Sequence, residues 1–131
     1  MENLMICLDT SVLIDFYQKK NKKKSFFYQL TDRYDIYAVS VITEYEIYTG
    51  SNEIRDEYWD KFFTDFVSLP YDSITNKIAV TINRNLKSTR NQIDVPDLMI
   101  AATALKNNLP LATLNVKHFQ RITDLQLVAD V

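Results

Sequence analysis

Four polar residues carry the chemistry this sequence could do: Asp9, Glu46, Asp97 and Asn115. Asp9 lies in ICLDTSVLIDFY, between an apolar run fit for a buried strand and a segment with helical spacing. Glu46 falls in SVITEYEIYTG, Asp97 opens DLMIAATALKNN, and Asn115 follows LPLATL. Three carboxylates brought to one place repel one another and hold raised pKa values unless a cation neutralises them. Oxygen ligands of this kind suit Mg²⁺ or Mn²⁺. An acidic metal cup of that sort is equipped to activate water for hydrolysis of a phosphodiester.

Each residue also has a plainer role open to it. Asp9 and Asn115 are placed to cap helices, Thr43 to Glu46 has the spacing of a capping box, and Asp97 sits in a first turn where the helix dipole favours an acid. Glu44 and Glu46 are two positions apart on one helix and point to different sides, so helical geometry leaves the choice between them open.

The elements that must position these residues alternate along the chain. LMICL reads as a strand and SVLIDFY as a short helix, with the lysine run from Lys19 to Lys24 as a solvated turn. SFFYQLTDRY is helical, DIYAV a strand, and SVITEYEIYTG a helix with Ser40 or Thr43 as cap and Gly50 at its end. Ile54 to Phe66 is an aromatic-rich helix, VSLP a strand, and ITNKIAVTINRNL a helix opened by Asp72 or Ser73. KSTRNQIDV is the longest expected loop. PDLMIAATALKNN is a helix with Asp94 before it and Pro96 at its start, and LPLATL and LQLVA are strands flanking a helical turn at VKHFQRI. Strands separated by helices argue for a parallel sheet covered on both faces, where ligands bind beyond the carboxyl ends of the strands.

Composition narrows the classes further. The 131 residues are expected to form a single domain, 1–131, and 47% hydrophobic with 24% charged residues is globular. A net charge of −2 excludes a generally basic nucleic-acid coat. A nucleic-acid partner would need local basic patches, for which Lys19 to Lys24, Arg84, Lys87, Arg90, Lys117 and Arg121 are candidates. A single glycine excludes phosphate loops of the Walker or dinucleotide type. Cys7 is the one cysteine, reads as a buried hydrophobe, and points to a reducing compartment. MENLMICLDT has no basic leader region, and its apolar run is too short to span a membrane, so the expected location is cytoplasmic.

The segments LDTSVLIDFY, SVITEYEIYTG and DLMIAATALKNNLPLATLNVKHF occur in an order that resembles the PIN-domain nucleases, and among them the VapC-type toxins of toxin–antitoxin modules. The resemblance covers nearly the whole chain. It implies a three-layer α/β/α sandwich whose parallel sheet has strand order 3-2-1-4-5, and an endoribonuclease site dependent on Mg²⁺ or Mn²⁺. By position it implies Asp9 and Asp97 as metal-binding acids, Glu46 as the third in preference to Glu44, and Asn115 as the fourth polar residue. Thr113 would help order the site, and Ser11, Thr113 and His118 stand as outer-shell or substrate-contacting candidates. Many relatives have an aspartate where this chain has His118, the only histidine, for which the sequence offers no evident partner.

The same resemblance implies cleavage of RNA (tRNA, rRNA or mRNA) to 5′-phosphate and 3′-hydroxyl ends, a homodimer, and a VapB-type antitoxin that could use the aromatic helix from Ile54 to Phe66. Three rivals remain: a PIN-like nuclease of RNA maturation, a catalytically inactive PIN-like binding module whose acids are only caps, and an aspartyl phosphatase. The phosphatase would need an acid two residues after Asp9, where Ser11 stands.

Overall fold

The structure is a computed structural model that describes residues 4–130. The expectation of no leader region rests partly on Met1 to Asn3, outside the described residues. Five strands, β1 (Met5–Leu8), β2 (Ile36–Ser40), β3 (Val67–Leu69), β4 (Leu111–Thr113) and β5 (Leu127–Ala129), form one parallel sheet in the order β3-β2-β1-β4-β5. Among the described residues seven α-helices connect them: α1 (Thr10–Gln18), α2 (Phe26–Leu30), α3 (Val41–Thr49), α4 (Glu53–Phe63), α5 (Ser73–Ser88), α6 (Val95–Lys106) and α7 (Val116–Phe119). Chain order reverses on either side of β1, so the gap between β1 and its neighbours is the switch point where such sheets bind ligands.

The two faces of the sheet follow from the period-2 alternation of its strands. Ile6 and Leu8 of β1, Val39 of β2 and Ala112 of β4 pack on one side with Val12, Leu13, Phe26, Leu30, Ile47 and Trp59. Cys7, Ala38 and Leu111 face the other side with residues of α5, α6 and Phe119 of α7. Both faces are covered, which is the three-layer α/β/α sandwich. Cys7 is fully buried and its thiol is pushed up to about 12, chiefly by that burial, so it is a packing residue as expected.

The aromatic residues of α4 and the turn after it belong to the first face. Tyr58, Trp59, Phe62, Phe63 and Phe66 pack against one another and against Phe16, Tyr17 and Phe27 at centroid separations of 5.0–6.0 Å. Of these rings only Trp59 is buried; Tyr58, Phe62, Phe63 and Phe66 keep part of their surface exposed, and Ile54, 82% exposed, is the most exposed apolar residue of the helix.

Several boundaries differ from expectation for local reasons. The turn in the lysine run is a 3-10 turn at Lys22–Lys24. Lys22 is bound rather than free: its Nζ donates to the carbonyls of Phe16 and Tyr17 at the end of α1 and lies 5.0 Å from the Phe16 ring centroid. α2 stops at Leu30, and α4 stops at Phe63, short of Phe66. α5 runs on to Ser88, because Leu86 continues the buried stripe of Ala79 and Ile82, which shortens the expected long loop to residues 89–94. With no glycine to stop it, the helix ends where Arg90 takes a left-handed φ of 59° and the Asn91 N–H bonds back to the Leu86 carbonyl. Among the described residues no helix is long and apolar enough to cross a membrane.

Candidate active site

Strand β1 ends at Leu8, and Asp9 is the residue at the N-cap of α1. A capping side chain takes the amide of the second or third helical residue. Asp9 instead accepts on Oδ1 from the N–H of Thr10, its immediate neighbour, at 2.7 Å. Its Oδ2 accepts from Ser11 Oγ at 2.8 Å and from Thr113 Oγ1 at 2.7 Å. Three donors thus hold a carboxylate that is 2% exposed, and they aim it across the sheet edge toward the end of β4. Each carboxylate oxygen has two acceptor sites, so Oδ1 retains a lone pair for a further partner.

Helix α3 separates the two glutamates. Ser40 is its cap, with Oγ accepting from the Thr43 N–H at 3.0 Å, so Thr43 is the third helical residue and the Thr43–Glu46 capping box does not form. Glu46 Oε1 accepts from Thr10 Oγ1 at 2.7 Å, which ties it to the residue beside Asp9. Thr10 Oγ1 also lies 3.2 Å from Thr43 Oγ1. Glu44 turns the other way and accepts from Ser68 Oγ beyond β2, so it is apart from Asp9.

Asp97 is in the first turn of α6, behind Asp94, which occupies the cap position without a side-chain cap bond, and Pro96. Leu98, Ile100, Ala101, Ala102 and Ala104 are all buried, and the alanines let this end of α6 lie against the sheet. The Asp97 carboxyl is held above the usual carboxylate range, first by burial and next by the charge of Asp9; His118 opposes the rise and Glu46 adds to it. Asp97 therefore shares one electrostatic neighbourhood with both other acids. Its Oδ2 lies 3.2 Å from Nδ1 of His118, a partner for the lone histidine that the sequence did not disclose.

Asn115 caps α7 by position, yet its side chain makes no capping bond, which removes the plainer reading of that residue. The side chain is exposed, while its backbone N–H donates to Thr113 Oγ1 at 2.9 Å. Leu114 N–H donates to Ser11 Oγ at 3.1 Å. Ser11 and Thr113 thus lock the turn after β4 onto the start of α1. The sequence offered Thr43 only as a helix cap and did not place Thr10 among the site residues, although the position of Thr10 directly after Asp9 was a signal.

The donors of the cup suit a divalent ion. Asp9, Glu46 and Asp97 supply only oxygen, and the lift on Asp97 from the other two is a repulsion that a cation would relieve. Among the described residues no three His, Cys, Asp or Glu side chains close into a ready-made cage. The set therefore fits an ion that keeps several waters, as Mg²⁺ does, rather than one enclosed by protein. A cleft of about 410 Å³ opens beside Glu46, lined also by Tyr17, Gln18, Arg55 and Trp59. A second cavity of about 440 Å³, against α5 and the turn from Arg121 to Asp124, includes none of the acids of the cup.

Of the expected basic residues, Lys20, Lys23, Lys24, Arg84, Lys87, Arg90 and Lys117 are exposed. Lys19 pairs with Asp15 at 3.6 Å, and Arg121 donates to the Gln92 carbonyl at 3.0 Å.

Comparison with known proteins agrees with the fold. The PIN domain family model matches residues 6–125. Ribonuclease VapC1 of Methanocaldococcus jannaschii is 35% identical over 129 residues, covering 96% of this chain and 87% of that protein. Ribonuclease VapC of Rickettsia bellii is 30% identical, covering 94% of each. Among solved structures, VapBC-1 from nontypeable Haemophilus influenzae superposes with a TM-score of 0.84 at 27% identity, over 96% of this chain and 98% of that one. With its sheet order, its fold and these relatives in agreement, the chain belongs to the PIN-domain family and, within it, to the VapC proteins.

Proposed function

We propose that this protein is a metal-dependent endoribonuclease acting as the toxin of a toxin–antitoxin pair. The observation that carries the reading is the acid cup at the switch point: Asp9 fixed by three donors, Glu46 tied to the neighbouring Thr10, and Asp97 lifted first by burial and next by the charge of Asp9, with Glu46 a lesser contributor. Structural capping needs no such convergence. The names of the relatives, ribonuclease VapC, support the same activity.

Asp9 and Asp97 are the residues to hold Mg²⁺ or Mn²⁺, with Glu46 as the third acid. When bound, the ion would polarise the phosphoryl group and favour deprotonation of water for in-line attack. The chain's own residues do the rest. Thr10 steers Glu46, and Ser11 and Thr113 fix Asp9. The exposed Asn115 amide is free to orient a phosphate oxygen. RNA, whether tRNA, rRNA or mRNA, would approach past the exposed lysines and arginines, which supply the charge the cup lacks. A VapB-type antitoxin is the partner suggested by the VapBC-1 relative, and a homodimer is part of the same proposal.

The test is cleavage of total RNA by the purified chain with Mg²⁺ or Mn²⁺, beside EDTA and the Asp9→Asn/Asp97→Asn variant, with Glu44→Gln as a control outside the cup. Discrete fragments that need the metal, vanish in the double variant and persist in Glu44→Gln are expected. Intact RNA under all conditions, with no thermal stabilisation by Mn²⁺, would overturn the proposal.

A further inference from the structure

We infer that His118 is a positioning residue: its Nδ1–H holds Oδ2 of Asp97, so that Oδ1 is the oxygen offered to the divalent ion. This role rests on the proposed nuclease reading. It starts from a contrast between two acids of one cup. Asp9 is fixed by Thr10, Ser11 and Thr113, whereas the hydrogen bond that holds the Asp97 side chain comes from His118, 21 residues away in sequence. Without it the carboxylate would rotate about its side-chain torsions, and ordering it would fall to the ion.

The histidine is well mounted for this work. α7 is only four residues long, but Phe119 beside His118 is fully buried, and the His118 N–H donates to the Asn115 carbonyl at 3.1 Å. The backbone of His118 is thus pinned to the core while its side chain stays 48% exposed at the rim. A carboxylate can only accept, so the 3.2 Å contact requires the proton on Nδ1 and leaves the lone pair of the neutral ring on Nε2. No charge on the imidazole is needed. What is needed is one N–H at one place.

That requirement distinguishes two near-isosteres. The amide nitrogen of asparagine falls close to the position of Nδ1, whereas that of glutamine falls close to Nε2. His118→Asn should therefore keep the hold on Asp97, and His118→Gln should lose it as His118→Ala does. The readout is the Mn²⁺ concentration at half of the maximal thermal stabilisation, taken with kcat and KM on RNA. We expect His118→Ala and His118→Gln to raise the Mn²⁺ midpoint about 10- to 100-fold, the usual effect of losing a partner behind a metal ligand, and His118→Asn to stay within about 3-fold of the parent. Loss in kcat at saturating RNA, recovered by excess Mn²⁺ and with KM little changed, should accompany the shift. Metal-free stability should be nearly the same in all three, because the side chain is half exposed.

A second measurement is independent of metal and of RNA. His118 is the only histidine, so its ring ¹⁵N signals are unambiguous. At a pH where the ring is neutral they should report the Nδ1-protonated tautomer, and Asp97→Ala should shift the ring toward Nε2 protonation. A parent protein with the Nε2-protonated ring, or an Asn variant that behaves like Ala, overturns the positioning role even if the protein is a metal-dependent nuclease. The expected tautomer in a protein that neither binds Mn²⁺ nor cleaves RNA overturns the nuclease reading, and with it the role of the contact toward an ion.

Discussion

Replacing Thr113 with valine removes one hydroxyl and almost no volume, at a position with no exposure to solvent. That hydroxyl donates to Asp9 Oδ2 at 2.7 Å and accepts from the Asn115 N–H at 2.9 Å. A hydrogen bond to a charged group contributes about 1.5–3 kcal/mol. The Asn115 amide lies in an exposed turn and can recover a water, so the loss is dominated by the carboxylate, which keeps two of three donors. A destabilisation of about 2 kcal/mol follows. With an unfolding entropy near 2.1 cal/mol/K per residue, 131 residues give about 0.28 kcal/mol/K, so Tm should fall by about 7 °C. Thr113→Ser keeps the hydroxyl and should lose only about 0.8 kcal/mol for one buried methyl. Urea unfolding of Thr113→Val, Asp9→Ala and the double variant closes a cycle whose coupling should exceed about 1 kcal/mol. A cost of Thr113→Val below about 0.5 kcal/mol, or an equal cost with and without Asp9, would refute the claim that this bond holds the carboxylate.

Two further expectations concern charge. The Asp97 carboxyl is lifted above its ordinary value, so the folded protein keeps its proton to higher pH than the unfolded chain. Its contribution is therefore most favourable at low pH and is lost as pH rises from the ordinary Asp range through the raised folded value. In the presence of EDTA, Asp97→Asn should be more stable than the parent above that window, with the advantage vanishing below it, as urea titrations from about pH 3 to 8 would show. Lys22→Ala should cost about 1–2 kcal/mol through loss of the bonds to the last carbonyls of α1 and of the Phe16 ring contact, whereas Lys23→Ala, at an exposed position, should stay within about 0.5 kcal/mol; thermal unfolding separates them.

Much of this arrangement was legible before any coordinate. The alternation of strand and helix patterns, with Asp9, Asp97 and Asn115 at element junctions and Glu46 inside the helix after β2, follows from local signals that a chain writes into its own periodicity. Strand order came through the family resemblance, and the sheet bears it out. What stayed hidden depends on contacts between distant segments. Glu44 and Glu46 both flank the apolar stripe of their helix; Ser68 in β3 and Thr10 at the start of α1 tell them apart. His118 had no visible partner because Asp97 reaches it only after α6 and α7 have packed. The length of α5 was missed for a different reason: the polar letters after Leu86 suggested a loop, but a buried leucine with no glycine behind it lets a helix continue for most of another turn.

The bond between Thr113 and Asp9 spans 104 positions, and β4 is the neighbour that closes the centre of the sheet beside β1. During synthesis, a ribosome adding about 5–20 residues per second would leave Asp9 without Thr113 for about 5 to 20 s. Through that interval β1 lacks one flank, and Asp97 has no frame to point into. A chain that ends before residue 113 lacks both a flank of the central strand and one of the three donors that hold Asp9. The cup is therefore complete only once β4 has paired with β1 and brought Thr113 to Asp9.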